Sequence, residues 1–232
     1  MNYNNPRDAI KKNDALLSYY FAGQIANLFA RLAAKSKHIT PNLFTTLSFV
    51  CALFTALFFV TDHLIYGVAT LLFTLIFDCA DGQTARFKNL QSQFGHWYDY
   101  HTDKIKDVLF LFCLAFGFFL QTYNPWVLIF AFFAISFQFM RNITRLTRIN
   151  FELQQDNKFA EKKSSASSQL LTVIKNSLLF KEADRYLLFI IFCLLDRVGL
   201  MIFLYMMIEF FFAISSAYIN YKKFNEYDKL IK

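Results

Sequence analysis

Six apolar runs occupy most of the chain, near residues 42 to 60, 64 to 80, 105 to 123, 125 to 141, 184 to 198 and 200 to 219. Runs of this kind approach the roughly 20 residues that carry a helix across a bilayer. The composition agrees, because 56% of the 232 residues are hydrophobic, 31 of them Phe, against about 45–50% apolar in a soluble domain. The expected fold is an all-α membrane protein with six transmembrane helices in a single bundle. Asp196, Arg197 and Gly199 interrupt the fifth run, so that helix draws part of its length from the mixed segment before it.

Charged side chains fall in the gaps between the runs. With connections assigned alternately to the two sides, 23 of the 24 Lys and Arg lie on one side and only Arg197 on the other. The positive-inside rule then puts both termini and the loop after the second run in the cytoplasm, the chain being a multi-pass protein of the cell (inner) membrane. The net charge of +7 does not indicate nucleic acid, which needs a basic face on a soluble fold. Cys51, Cys79, Cys113 and Cys193 are single residues in apolar surroundings without a CxxC pair, so neither a disulfide framework nor a zinc site is indicated. The N-terminus, MNYNNPRDAIKKND, lacks the apolar core of a cleavable signal peptide.

Ahead of the first run, Leu17, Phe21, Ile25, Leu28 and Leu32 recur at helical spacing, with Asp14, Arg31, Lys35 and Lys37 off that stripe. This pattern predicts an amphipathic helix lying in the membrane interface; packing on another part of the protein is the alternative. The organisation expected is an interfacial segment over 1–40, a transmembrane domain over 41–220 and a cytoplasmic tail over 221–232. The Ser- and Lys-rich residues 150–168 read as a cytoplasmic loop.

The second gap holds DCADGQTARFKNLQSQFGHWYDYHTDK, with Asp78, Asp81, Asp99 and Asp103 inside 26 residues. The first pair is three apart and the second four, so on helices each pair shares a face, and two helix ends can bring them together. Four adjacent carboxylates repel one another beside hydrocarbon unless cations neutralise them. Hard oxygen ligands favour magnesium, manganese or calcium, and four suit two ions. Two ions at a membrane surface fit phosphoryl transfer, where they clamp a diphosphate. Gly82 lets backbone approach such a group, and Arg86 offers charge-assisted hydrogen bonds to it.

The segment resembles the class I CDP-alcohol phosphatidyltransferase family, whose signature is D-x-x-D-G-x-x-A-R, eight residues, then G-x-x-x-D-x-x-x-D. Asp78, Asp81, Gly82, Ala85, Arg86, Gly95, Asp99 and Asp103 fill every fixed position. The resemblance implies a phospholipid-biosynthetic transferase that moves a substituted phosphate from a CDP-alcohol to a hydroxyl acceptor and releases CMP. It implies two Mg2+ ions, with Mn2+ as an alternative, Asp78 and Asp99 bridging both, Asp81 completing one site and Asp103 the other. Asp103 is also the implied catalytic base. Gly82, Arg86, Ser92, Asn42 and Thr45 are the implied nucleotide contacts, the last two as an N-x-x-T element entering the first span. CDP-diacylglycerol is the favoured donor, with CDP-choline or CDP-ethanolamine headgroup transfer to diacylglycerol as the alternative. The implied partners are that donor, the hydroxyl acceptor, membrane lipids and a second copy of the chain.

Other readings of the same residues remain open. The aspartates could form a salt-bridged scaffold with Arg86, Lys88 and Lys104, or the cation site of a transporter, although transporters place such groups at mid-membrane on repeated halves and no repeat is visible. Asp107 is either a partner of Lys104 or Lys106, or a further ligand. His96 and His101 suit softer metals and read as pocket or interface residues, while Trp97, Tyr98 and Tyr100 fit the headgroup level. Arg141, Arg145 and Arg148 either hold an anionic acceptor or anchor a span end; Asp184 and Arg185, opening the fifth span, are further acceptor candidates.

Overall fold

A computed structural model of the chain describes residues 17–36, 38–156 and 182–231. All regular structure there is helical, and no strand occurs among the described residues. The helices are α1 (Gly23–Ala34), preceded by a π-helical turn at Ser18–Ala22, then α2 (Pro41–Val60), α3 (Leu64–Lys88), α4 (Gln93–Thr122), α5 (Trp126–Asp156), α6 (Glu182–Leu194) and α7 (Val198–Ile231). Five of them, α2, α3, α4, α5 and α7, are long and apolar enough to cross a membrane. The described part of α6 has 13 residues, about 20 Å at 1.5 Å per residue, which falls short of a hydrocarbon core of about 30 Å.

Local chemistry sets the helix limits. Thr40 is extended and Pro41 occupies the first turn of α2, where its fixed φ suits a helix and its missing N–H costs nothing. Asn89 takes the left-handed conformation at φ 53°, and the Leu90 N–H returns to the Ala85 carbonyl at 2.9 Å, a closure of the Schellman type. Ser92 then caps α4 by accepting from the Gly95 N–H at 3.0 Å. The reversal between α3 and α4 is therefore tight, and it carries the motif on both of its arms.

The chain divides into two bodies, residues 1–128 with 181–201, and 129–180 with 202–232. In the first, α2 turns Thr45, Ser48, Ala52, Thr55 and Ala56 inward and leaves Leu43, Leu47, Val50, Leu53, Phe54 and Leu57 exposed. An inside more polar than the outside is what a lipid-facing helix requires. Small and hydroxyl side chains let the helices approach. Ser48 donates to the Thr74 carbonyl at 3.0 Å, Thr55 to Thr70 Oγ1 at 2.9 Å, and a Cβ on Gly117 of α4 would lie 2.1 Å from the Phe59 carbonyl of α2. From α6, Phe189 stacks on Phe59 and Tyr186 meets Phe110 edge-on.

In α1 the buried residues are Gly23, Ala26, Asn27, Ala30 and Ala33, whereas Phe21, Leu28 and Leu32 of the expected apolar stripe are exposed. The helix therefore packs on the protein through a small-residue face and presents its large apolar side chains outward. Of the two sequence readings, packing on another part of the protein is the one that the buried face matches.

In the second body, α5 and α7 meet along a seam of aromatic pairs: Phe130 with Phe203, Phe137 with Phe210, and Phe151 with Phe224. Each partner lies 73 positions further along the chain, so the two helices run parallel, and the seven-residue spacing is that of a heptad seam. Arg141 Nη2 meets Glu209 Oε1 at 3.0 Å inside this pair. Asn220 donates to the Thr144 carbonyl at 2.7 Å.

The helices outrun the apolar runs. Residues 150–156, expected in a loop, continue α5, because Phe151 packs on Phe224 and Tyr227. Residues 221–231, set apart above as a tail, continue α7. The remainder of the expected loop, 157–168, lies outside the described residues.

Candidate active site

The tight α3–α4 reversal places Asp78 and Asp81 on the last turns of α3 opposite Asp99 and Asp103 on the first turns of α4. One carboxylate oxygen from each of Asp78, Asp99 and Asp103 lies within 4.8 Å of the others, a spacing that one divalent ion can bridge. Asp81 is buried and accepts from Thr45 Oγ1 at 2.7 Å. It joins Asp99 in lining a cavity of about 310 Å³. The residues present thus fit hard divalent ions, with Asp78, Asp99 and Asp103 as one set of ligands and Asp81 as an adjoining one.

The cavity gathers most of the expected nucleotide contacts. Asn42, Gly82, Arg86 and Ser92 line it, together with Ala85, Gly95 and His96. Thr45 does not line it; its hydroxyl serves Asp81. The glycines of the motif are explained by crowding, since a Cβ at Gly95 would lie 3.0 Å from Ser92 Oγ and 3.3 Å from Asn42 Oδ1. At Gly82 a Cβ would lie 3.3 Å from Arg86 Nη1 and displace the guanidinium from the cavity wall.

Lysines near the motif take three different roles. Lys88 leaves the aspartates alone and donates to the Ser36 and Ile39 carbonyls at 2.6 Å each, fixing the chain between α1 and α2. Lys104 lies 3.5 Å from Asp107. Fully buried Lys106 reaches Asp78 Oδ1 at 2.6 Å, Asp103 Oδ1 at 2.7 Å and Ser48 Oγ at 3.1 Å. Of the two partners expected for Asp107, Lys104 is the one observed, and the stronger contact is Arg185 Nη2 at 2.8 Å.

The remaining candidates are spread out. His101 Nδ1 lies 2.8 Å from the Trp97 carbonyl, away from the cavity lining. Trp97 and Tyr100 are exposed, and Tyr98 shares a hydrogen bond of 3.2 Å with Thr46. Arg141 is engaged with Glu209 in the second body, where Arg145 is exposed and Arg148 half-buried. Arg185 is buried against Asp107.

The sequence reading missed three residues that support the site. Lys106 stands three positions after Asp103, and Ser48 three after Thr45; helical spacing alone puts each on the face of a motif residue. Gln83, a variable position inside the signature, donates to the Gly23 carbonyl at 2.9 Å and accepts from Asn27 Nδ2 at 3.1 Å, tying α1 to the motif. No local sequence signal marks that contact, because its partners lie 60 and 56 residues away.

Five helices long and apolar enough to cross a membrane, with carboxylates converging beside a cavity, describe a membrane protein with a candidate ion site. The sequence profile of CDP-alcohol phosphatidyltransferase matches residues 38–214, and the chain belongs to that family; it is a multi-pass membrane protein. Its fold is shared with the phosphatidylinositol phosphate synthase of Mycobacterium tuberculosis, solved with CDP-DAG bound, at a TM-score of 0.62 and 14% identity over 87% of this chain and 94% of that one. No match was found among curated protein sequences.

Proposed function

We propose that the protein transfers a phosphatidyl group from CDP-diacylglycerol to the hydroxyl of a polar alcohol, releasing CMP, with two Mg2+ ions held by Asp78, Asp81, Asp99 and Asp103. The observation that carries this reading is the convergence of Asp78, Asp99 and Asp103 within 4.8 Å, beside a cavity lined by Asp81, Gly82, Arg86, Asn42 and Ser92. The ions, when bound, would neutralise the diphosphate and the charge that develops on the leaving group.

The chain's own residues would do the rest. Arg86, folded over Gly82, is placed to hold diphosphate oxygens, while Asn42 and Ser92 offer polar atoms to the nucleotide from the opposite wall. Asp103, whose Oδ1 lies 2.7 Å from Lys106 Nζ, would take the proton from the attacking hydroxyl as general base. The acceptor oxygen then bonds to the lipid-bearing phosphorus as the bond to the CMP oxygen breaks. Supporting the donor choice are the family and the fold shared with a structure that holds CDP-DAG. The Lys and Arg distribution supports a cell-membrane protein with this site on the cytoplasmic side.

Purified protein incubated with Mg2+, radiolabelled CDP-diacylglycerol and separate polar alcohols (glycerol 3-phosphate, inositol phosphate, serine) should release CMP and form one new lipid. A parallel arm pairs CDP-choline with diacylglycerol. CMP release in that arm alone would reverse the donor assignment, and release in neither would refute the reading.

A further inference from the structure

The Lys106 side chain is fully buried and absent from the cavity lining. The Lys106 ammonium donates to Asp78 Oδ1 at 2.6 Å and to Ser48 Oγ at 3.1 Å, and it forms an ion pair with Asp103 Oδ1 at 2.7 Å. Ser48 commits its own proton to the Thr74 carbonyl, so its oxygen faces the lysine as an acceptor. Helices α2, α3 and α4 are thereby joined through one cation on the buried side of the carboxylates.

We propose that Lys106 is a built-in counter-cation of the ion site, a positioning residue that holds Asp78 and Asp103 together when ions are absent and weakens divalent-ion binding when they are present. The inference rests on the metal reading above and concerns what tunes it. Two carboxylates facing each other in a low-dielectric setting repel; an ammonium within 2.6–2.7 Å of one oxygen of each offsets part of that repulsion. The same ammonium would oppose any divalent ion that Asp78 and Asp103 held, because like charges at short separation repel strongly beneath a protein surface. A structural salt bridge with no such link would matter equally with and without ions. The counter-cation matters most without them.

The test uses the full chain in detergent at about pH 8, with Mn2+ binding read by electron paramagnetic resonance and unfolding followed in EDTA and in saturating Mn2+. Lys106→Met and Lys106→Gln should each bind Mn2+ at least about tenfold more tightly than the parent. Both should melt lower in EDTA and regain the parental Tm with Mn2+. Lys106→Arg, which keeps the charge, should stay near the parent in both readouts. Lys106→Gln keeps donor groups at this site and serves as the measurement should Lys106→Met fail to accumulate. Unchanged or weaker Mn2+ binding in the neutral variants, or an equal loss of Tm with and without Mn2+, overturns the proposal while leaving the metal reading intact. Absence of Mn2+ binding by the parent overturns both.

Discussion

In the pairing of α5 with α7, Arg141 meets Glu209 at 3.0 Å; at the α3–α4 reversal, Asp78, Asp99 and Asp103 converge, and the buried ammonium of Lys106 meets two of them, Asp78 and Asp103. Both arrangements keep charge inside an apolar protein, yet their arithmetic differs. A pair of opposite charges serves as interhelical glue, much as polar contacts do between other membrane helices. A cluster with more anions than cations keeps repulsion that one ammonium offsets in part and that an incoming cation would relieve further. The difference separates charge kept for folding from charge kept for chemistry, and it can be broken from either end.

The largest effect is expected on the unbalanced side. Asp78→Ala should reduce CMP release to background while the protein still folds, because removing one anion from an excess relieves repulsion. Asp103→Asn, which keeps the shape and removes the proposed base, should lower kcat by about 10²–10⁴-fold. Activity assays combined with Tm measurements in EDTA check both halves. An Asp78→Ala protein that loses activity only because it unfolds in EDTA would erase the contrast with the Arg141–Glu209 pair.

On the balanced side stability, not turnover, should suffer first. Arg141→Met leaves the fully buried Glu209 carboxylate without its partner, a change that typically costs about 3–5 kcal/mol. The double variant Arg141→Met/Glu209→Leu should recover most of that loss, since replacing both ions by apolar groups removes the buried charge altogether. Denaturant titration in detergent measures the difference. A double variant as unstable as the single one would mean that the pair does more than balance itself.

Which parts of this were legible in the sequence follows from the range of the interactions. Asp78, Asp81, Asp99 and Asp103 announced themselves because helical spacing and a short reversal bring them together, and the signature positions Gly82 and Gly95 are crowded by residues close in the chain, Arg86 and Ser92. The apolar runs located α2 and α4, but not where α5 and α7 end: their terminal turns are held by Phe151 against Phe224 and Tyr227, a contact between distant segments. The same holds for α1. Its large side chains dominated the pattern, while Ala26, Ala30 and Ala33, which bury against the protein at helical spacing, are too small to stand out beside them. Arg185, an acceptor candidate in the sequence, lies beside Asp107, a contact between residues 78 positions apart that only the fold shows.

A smaller effect tests the packing beneath the unbalanced cluster. Gly117→Ala would bring a methyl group against the Phe59 carbonyl, a backbone atom that cannot rotate away. Overpacking of this kind costs about 1–3 kcal/mol. If the Tm stays at the parental value, α2 and α4 have room to separate, and the positions of Ser48 and Lys106 are less fixed than their contacts imply.

The smallest predicted change concerns Thr45, for which two roles compete. The family resemblance assigns it to the nucleotide, whereas its hydroxyl donates to Asp81 at 2.7 Å and lies off the cavity wall. Thr45→Val keeps the shape and removes that hydrogen bond, so one Asp81 oxygen loses its fixed direction. A loss of about 1 kcal/mol corresponds to roughly a fivefold rise in the Mg2+ concentration needed for half-maximal rate, with kcat at saturating Mg2+ and the KM for the CDP donor unchanged. A shift in donor KM at saturating Mg2+ would instead place the hydroxyl on the nucleotide, and Asp81 would then depend on the ion rather than on Thr45 for its orientation.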